Sequence, residues 1–160
     1  MSDRRLVILR HAKSDWSTDA PDHSRPLNVR GRRDGPEAGR WLRMNVGTPD
    51  AVVCSSSART RQTWELASAA LREPPEPEFT DDVYDASAAE LFELVRDLPD
   101  SAACVLLIGH NPGIEDLTTL LAGEYVRMTT SAVAVLTWPG SWSDVGLHPA
   151  TLEAHAVPRG

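Results

Sequence analysis

The 160-residue sequence has no long apolar run, only two cysteines, and few aromatic residues, at 6%. Nothing approaches the roughly 18 consecutive apolar residues of a membrane span, and the first residues lack the apolar stretch of a secretory signal. Cys54 and Cys104 each lie within a predicted buried strand and have no metal-ligand spacing, which argues against a disulfide or a metal site. We therefore expect a cytoplasmic protein without membrane association, metal or other cofactor.

Basic residues are also scarce, with 16 against 23 acidic residues and a net charge of −7. This acidity argues against nucleic acid as a partner. The distribution is uneven, because residues 1–72 hold 13 of the basic residues but only 8 of the acidic ones. The arginines of that half still allow a small anion or a phosphoprotein as partner. The sequence does not give the oligomeric state, and a monomer is our expectation.

Length and apolar content, at 41%, fit a single domain over residues 1–160. Apolar runs and helical periodicity alternate along the chain, which predicts an α/β fold with a mostly parallel sheet covered on both faces. The predicted strands are 5–9, 51–54, 104–108, 132–138 and 151–157. The predicted helices are 31–44 with a restart at Gly35-Pro36, 60–71, one within 85–97, and 114–121; segments 12–28 and 73–77 are predicted connections.

Arginine or histidine residues follow three of these strands. Arg10 and His11 end the first, a serine-rich loop leading to Arg59 follows the second, and His110 follows the third. Because the carboxyl ends of parallel strands share one edge of a sheet, we expect these residues to form one site.

This set of side chains suits a phosphoryl group. Arg10 and Arg59 can bind its oxygens with two donors each, and His110 could be a third donor. A neutral His11 could attack phosphorus through one ring nitrogen, provided that the other nitrogen is tied to a backbone carbonyl. The hydroxyl of Ser17, in the loop after His11, is a further candidate donor.

The same motifs resemble those of the histidine phosphatase superfamily, whose fold is that of the phosphoglycerate mutases. The matching segments are Arg10-His11-Ala12-Lys13-Ser14, Arg25-Pro26-Leu27 with Gly31, Ser55 with Arg59-Thr60 and Thr63, and Gly109-His110-Asn111-Pro112. Within the superfamily they are most similar to the small SixA-like phosphohistidine phosphatases, although Ala12 stands where most members have glycine. The resemblance implies a three-layer α/β/α sandwich, phosphorylation and then hydrolysis of His11, and a phosphate pocket of Arg10, Arg59 and His110.

The resemblance leaves the general acid open. Members that cleave phosphate monoesters need a carboxylic acid to protonate the leaving alkoxide. Asp85 is the best candidate, and Asp81 and Asp82 are others. An imidazole leaving group does not need such an acid, and a chain this short leaves little sequence to cover a substrate. We therefore expect a phosphohistidine-bearing protein as substrate, with a small phosphorylated molecule as the alternative.

Two further alternatives stay open. A cysteine-dependent phosphatase would use Cys54 with Arg59, but the spacing is one residue shorter than the Cys-x5-Arg that such enzymes need. A non-catalytic phosphate-binding module would also explain the pocket. We assign Lys13 no catalytic role, and we expect His23, His148 and His155 to be surface or packing residues.

Overall fold

A six-stranded sheet forms the centre of the computed structural model, which describes residues 3–160. Within these residues, no helix is long and apolar enough to cross a bilayer. Strands β1 to β6 are Asp3–Arg10, Ala51–Ser55, Glu78–Thr80, Cys104–Gly109, Val133–Pro139 and Thr151–Ala156. Helices α1 to α4 are Val29–Asn45, Ala58–Ser68, Ala88–Arg96 and Gly113–Ala122, and short 3-10 helices span Asp22–Ser24 and Trp142–Asp144.

The strand order is β3-β2-β4-β1-β5-β6. Strands β3, β2, β4 and β1 pair in parallel, whereas β5 is antiparallel to both of its neighbours. The predicted α/β sandwich with a mostly parallel sheet is therefore confirmed. Strand β3 is not predicted from the sequence, because these three residues directly follow a proline-rich segment that carries no strand pattern.

Alternate residues of β1 supply the two halves of the core. Leu6 and Ile8 point to one face of the sheet, where they pack in the cluster that includes residues of α3 and α4. Val7 and Leu9 point to the other face and pack with residues of α1 and α2. All four side chains are fully buried. A strand that is covered on both faces needs such a continuous apolar run.

Two helices begin earlier than the sequence pattern predicts, because polar caps precede their apolar faces. The side chain of Asn28 caps α1 by accepting from the backbone N–H of Gly31, and Ser57 caps α2 by accepting from that of Thr60. Helix α1 then runs through Pro36, so the predicted restart is wrong. Helix α2 ends at Ser68, three residues before the predicted end.

Helices α1 and α2 pack closely at Gly39. A Cβ atom on Gly39 would lie 2.2 Å from the carbonyl oxygen of Ala67, whereas one on Gly35 would meet the side chain of Leu66 at 2.9 Å. A backbone oxygen cannot rotate away from an added methyl group, whereas Cδ1 of Leu66 can rotate away and its Cβ, at 3.0 Å, needs to shift by only a few tenths of an ångström.

We therefore expect Gly39→Ala to lower the free energy of unfolding by about 1–3 kcal/mol, because α1 must move away from α2. Gly35→Ala is the matched control and should cost less. Urea unfolding of both variants measures the difference, and an equal cost at the two positions would contradict the packing described here.

Candidate active site

The three polar strand ends meet at one edge of the sheet. Strand β4 lies between β1 and β2, with Arg10 level with Gly109 and Cys54 level with Ile108. The residues that follow these strands therefore line one cavity of about 290 Å³. The predicted meeting of Arg10, His11, Arg59 and His110 is confirmed as a matter of geometry. The cavity is lined by Arg10, His11, Lys13, Ser14, Trp16, Asp22, Arg25, Arg59, Tyr84, Asp85, His110, Asn111 and Thr130.

Two further candidates from the sequence, Asp85 and Ser17, lie in different surroundings. Asp85 lines the cavity, as a candidate acid must. Ser17 does not belong to the lining, because its hydroxyl donates to the carboxylate of Asp15 at 2.5 Å on the exposed part of the loop. Ser14, three residues earlier, lines the cavity, and its hydroxyl accepts from Nε of Arg25 at 3.3 Å.

Backbone hydrogen bonds fix His11 at the end of β1. Its N–H donates to the carbonyl of Gly109, and its carbonyl accepts from the N–H of Ser131. The next residue, Ala12, donates its N–H to the hydroxyl of Thr63, on α2, at 3.0 Å. The position of the histidine therefore depends on β1, β4 and α2 together.

The His11 ring is held in one tautomer. Nδ1 lies 2.7 Å from the carbonyl oxygen of Ala12, which can only accept, so Nδ1 carries the proton. The ring is only 5% exposed. Burial holds the His11 pKa well below its usual range, and the nearby His110, Arg10 and Arg59 lower it further. A neutral ring with its proton on Nδ1 leaves a lone pair on Nε2, which is the state a nucleophile requires.

His110 faces His11, with the ring centroids 5.3 Å apart. Its Nε2 lies 2.7 Å from the hydroxyl of the fully buried Ser55. Ser55 also accepts from the N–H of Ser57, and its hydroxyl can either donate to Nε2 of His110 or accept from it. Burial, and then the charge of Arg59, lower the His110 pKa to about 4. Nδ1 of the same ring is buried and has no hydrogen-bond partner among residues 3–160.

The two arginines are anchored at their outer ends. Arg10 donates from Nη1 to the carbonyl of Met128, and Arg59 donates from Nη1 to the carbonyl of Asp22. In the described part of the chain, the buried Nε–H of each arginine has no acceptor. Buried donors without partners are rare in folded proteins and are costly. Together with Nδ1 of His110, they make three buried nitrogen atoms without partners on residues that line the cavity.

The loop after His11 supplies cavity residues to which the sequence analysis gave no role. It is closed by backbone hydrogen bonds from Asp15 to Pro26 and from Asn28 to Lys13. Within it, Arg25 lies over the ring of Trp16, with 3.6 Å from its central carbon to the ring centroid. Arg25 belonged to a recognised motif, so a signal for it was present. Asp22, three residues earlier, carried none.

The segment after β3 forms the opposite wall and carries Tyr84. Its hydroxyl donates to Asp22, and its ring packs edge-on against His110 and His23. His23 also bonds to the hydroxyl of Ser56 at 2.9 Å. His23 is exposed and packs against Tyr84, which is compatible with the predicted surface or packing role. These contacts depend on β3, which the sequence pattern did not reveal.

Cys54 lies in the core and outside the cavity. It belongs to the same core cluster as Val7 and Leu9, and burial raises the pKa of its thiol to about 12. A thiol that stays protonated cannot act as the nucleophile. The structure thus removes the cysteine-dependent alternative. Over residues 3–160, no group of three or more His, Cys, Asp or Glu side chains is arranged to hold a metal ion.

Comparison with known proteins gives the family. Residues 6–111 match the model of the histidine phosphatase superfamily (branch 1). The chain belongs to the histidine phosphatase superfamily. An uncharacterised protein of Mycobacterium tuberculosis is 35% identical over 162 residues, which cover 94% of this chain and 100% of that protein.

Close structural neighbours of this histidine phosphatase are SixA-type proteins. One, from Nakamurella multipartitia and assigned as phosphohistidine phosphatase SixA, superposes with a TM-score of 0.87 at 30% identity, covering 99% of this chain and 98% of that one. Another with the same assignment, from Agrobacterium tumefaciens, gives 0.83 at 25% identity, covering 97% and 98%. The resemblance inferred from the motifs is confirmed over nearly the whole chain.

The two cavity histidines should both be neutral in the free protein at pH 6.5, because burial lowers the pKa of each. Imidazole ¹⁵N NMR should show no titration of His11 or His110 near pH 6.5, and His110 should protonate only near pH 4. Adding tungstate, a doubly charged oxyanion, should raise the His110 pKa because the anion stabilises the imidazolium. The variants His11→Ala and His110→Ala assign the signals. Titration of both rings near their ordinary pKa in the free protein would contradict this account.

Proposed function

We propose that this protein is a phosphatase that removes the phosphoryl group from phosphohistidine in proteins, through a covalent phosphohistidine at His11. The observation that carries the proposal is the state of His11, which is buried and neutral with Nδ1 tied to a carbonyl. Such a ring presents a lone pair at Nε2 without the need for a separate base. The full-length likeness to structures assigned as phosphohistidine phosphatase SixA supports the substrate class.

The three nitrogen atoms without partners offer the hydrogen bonds that phosphoryl transfer needs, and the two arginines supply the positive charge. In the proposed complex, Nε–H of Arg10, Nε–H of Arg59 and Nδ1–H of His110 bind the non-bridging oxygens of the phosphoryl group. Catalysis of this reaction depends mainly on position and on stabilisation of charge at those oxygens. Because both arginines are anchored by backbone carbonyls, their donors are in place before the substrate arrives.

The reaction then proceeds in two displacements. In the first, Nε2 of His11 forms a bond to phosphorus while the bond from phosphorus to the substrate imidazole nitrogen breaks, and that nitrogen takes up a proton from solvent. In the second, water attacks the phosphohistidine at His11. Inorganic phosphate leaves, the proton lost by the water goes to solvent or phosphate, and the neutral His11 is restored.

The acids of the cavity favour a nitrogen leaving group. Asp22 cannot donate a proton, because the Tyr84 hydroxyl, Arg25 and Arg59 hold the pKa of its carboxyl far below the usual range. Asp85 is the other carboxyl group in the lining, and it is exposed. A phosphoramidate leaves through an imidazole nitrogen that solvent can protonate, so it does not require either group.

The same proposal includes a reducing compartment such as the cytoplasm. Cys54 and Cys104 are both free thiols, and burial raises the pKa of each. Neither cysteine is an accessible, reactive thiolate, and the fold does not depend on oxidation of either one.

Phosphate release from a phosphohistidine-bearing protein tests the proposal, with a phosphate monoester measured in parallel. We expect rapid release from phosphohistidine, a poor rate with the monoester, and a loss of at least about a thousandfold in His11→Ala. Binding of the phosphohistidine protein without any release, equally in wild type and His11→Ala, would show a non-catalytic module instead.

A small-molecule phosphomonoesterase is the second candidate, and it is favoured by the position of Asp85 in the cavity. The present proposal predicts that Asp85→Asn leaves phosphohistidine hydrolysis within about twofold of wild type. Asp82→Asn is the matched control, since Asp82 is exposed and lies outside the cavity lining. A strong monoester rate that falls in Asp85→Asn but not in Asp82→Asn would make the second candidate correct.

A further inference from the structure

Asp22 accepts hydrogen bonds from both outer nitrogens of Arg59. Its carbonyl accepts from Nη1 at 2.7 Å, and its carboxylate accepts from Nη2 at 3.1 Å. Arg59 is 5% exposed, so its guanidinium depends on these contacts for hydrogen bonding. A guanidinium has five N–H donors in a rigid plane. Once its outer end is fixed by Asp22, the direction of Nε–H is fixed as well.

The same carboxylate joins the two loops that form the walls of the cavity. One oxygen accepts from Nη1 of Arg25 at 2.7 Å, and the other accepts from the Tyr84 hydroxyl at 2.5 Å in addition to Arg59. Asp22 therefore receives donors from its own loop, from α2 and from the segment after β3. The Asp22 side chain is half exposed, so its replacement opens no cavity, but it removes the carboxylate partner of the buried Arg59.

We propose that Asp22 is a positioning residue that holds Arg59 with its Nε–H directed at the phosphoryl group. The inference rests on the proposed function and adds to it the residue that orients one of the phosphate-binding donors. Neither the sequence motifs nor the family match points to this residue. Its contribution comes entirely from the contacts of the folded loop.

Asp22 could also weaken anion binding instead of supporting it, so the test must distinguish these two roles. A carboxylate beside an anion site repels the anion, and Asp22 could act as an internal anion that competes with the substrate for Arg59. The orienting role predicts that loss of Asp22 slows turnover and weakens oxyanion binding. The competing role predicts that it strengthens oxyanion binding.

The test compares Asp22→Ala, Asp22→Asn and Asp19→Asn. Asp19 is an exposed acid of the same loop, it makes no ion pair or side-chain hydrogen bond within residues 3–160, and it lies outside the cavity lining. Asp19→Asn therefore makes the same change in charge without touching Arg59. For each protein we would measure kcat and KM for phosphohistidine hydrolysis, the Kd of tungstate by calorimetry, and the Arg59 Nε–H resonance by NMR.

For Asp22→Ala we expect kcat to fall by about 10- to 100-fold, because misplaced groups cost roughly this much. Tungstate should bind several-fold more weakly, and the sharp Arg59 Nε–H resonance should broaden. Asp22→Asn should recover part of each loss, because its amide oxygen can still accept from Nη2. Asp19→Asn should match wild type in all three measurements.

Tighter tungstate binding with unchanged or higher kcat in Asp22→Ala would overturn the proposal in favour of a competing anion. An unchanged resonance together with unchanged kcat would overturn it as well. The tungstate and NMR measurements need no turnover. If wild type failed to hydrolyse phosphohistidine, the proposed function would fall while these two measurements still decided the role of Asp22.

Discussion

The parallel pairing of β1 with β4, and of β4 with β2, is the constraint on which the rest of the site depends. It brings Arg10 level with Gly109 and makes the next residues, His11 and His110, neighbours across the end of the sheet. A shift of the register by one residue would also turn each strand over, and would move the apolar side chains of β1 to the wrong faces. The two halves of the core therefore fix the same register that assembles the cavity.

Burial then sets the chemistry of the assembled residues. A histidine in water is partly protonated at neutral pH, but the low-dielectric surroundings of His11 and the adjacent arginines disfavour its charged form. The arginines keep their charge under the same conditions because their ordinary pKa is so high. One environment thus gives a neutral nucleophile and permanently charged ligands side by side. The contact between Nδ1 of His11 and the Ala12 carbonyl selects the tautomer that has its proton on Nδ1.

The sequence allowed prediction of the parts of the site that lie next to strong local patterns. Arg10, His11 and His110 directly follow buried apolar runs, and Arg59 lies in the first turn of a helix, so their meeting follows from the geometry of parallel sheets. Asp22 and Tyr84 could not be found in this way. Asp22 begins a three-residue 3-10 helix and Tyr84 lies in a turn, and the positions of both depend on hydrogen bonds between distant segments and not on periodicity. The position of Ser17 outside the cavity lining could not be predicted for the same reason, since its hydroxyl donates to the nearby Asp15.

The stacking of Arg25 on Trp16 has a practical consequence. Of the five tryptophans, all of which lie within residues 3–160, only Trp16 lines the cavity, and it is 71% exposed. Trp64, Trp138 and Trp142 are buried in the core. The charged group above this indole is held by Asp22 at the rim of the cavity. A ligand that displaces Arg25 would therefore change the surroundings of Trp16, and we expect indole fluorescence to report occupancy of the cavity without any label.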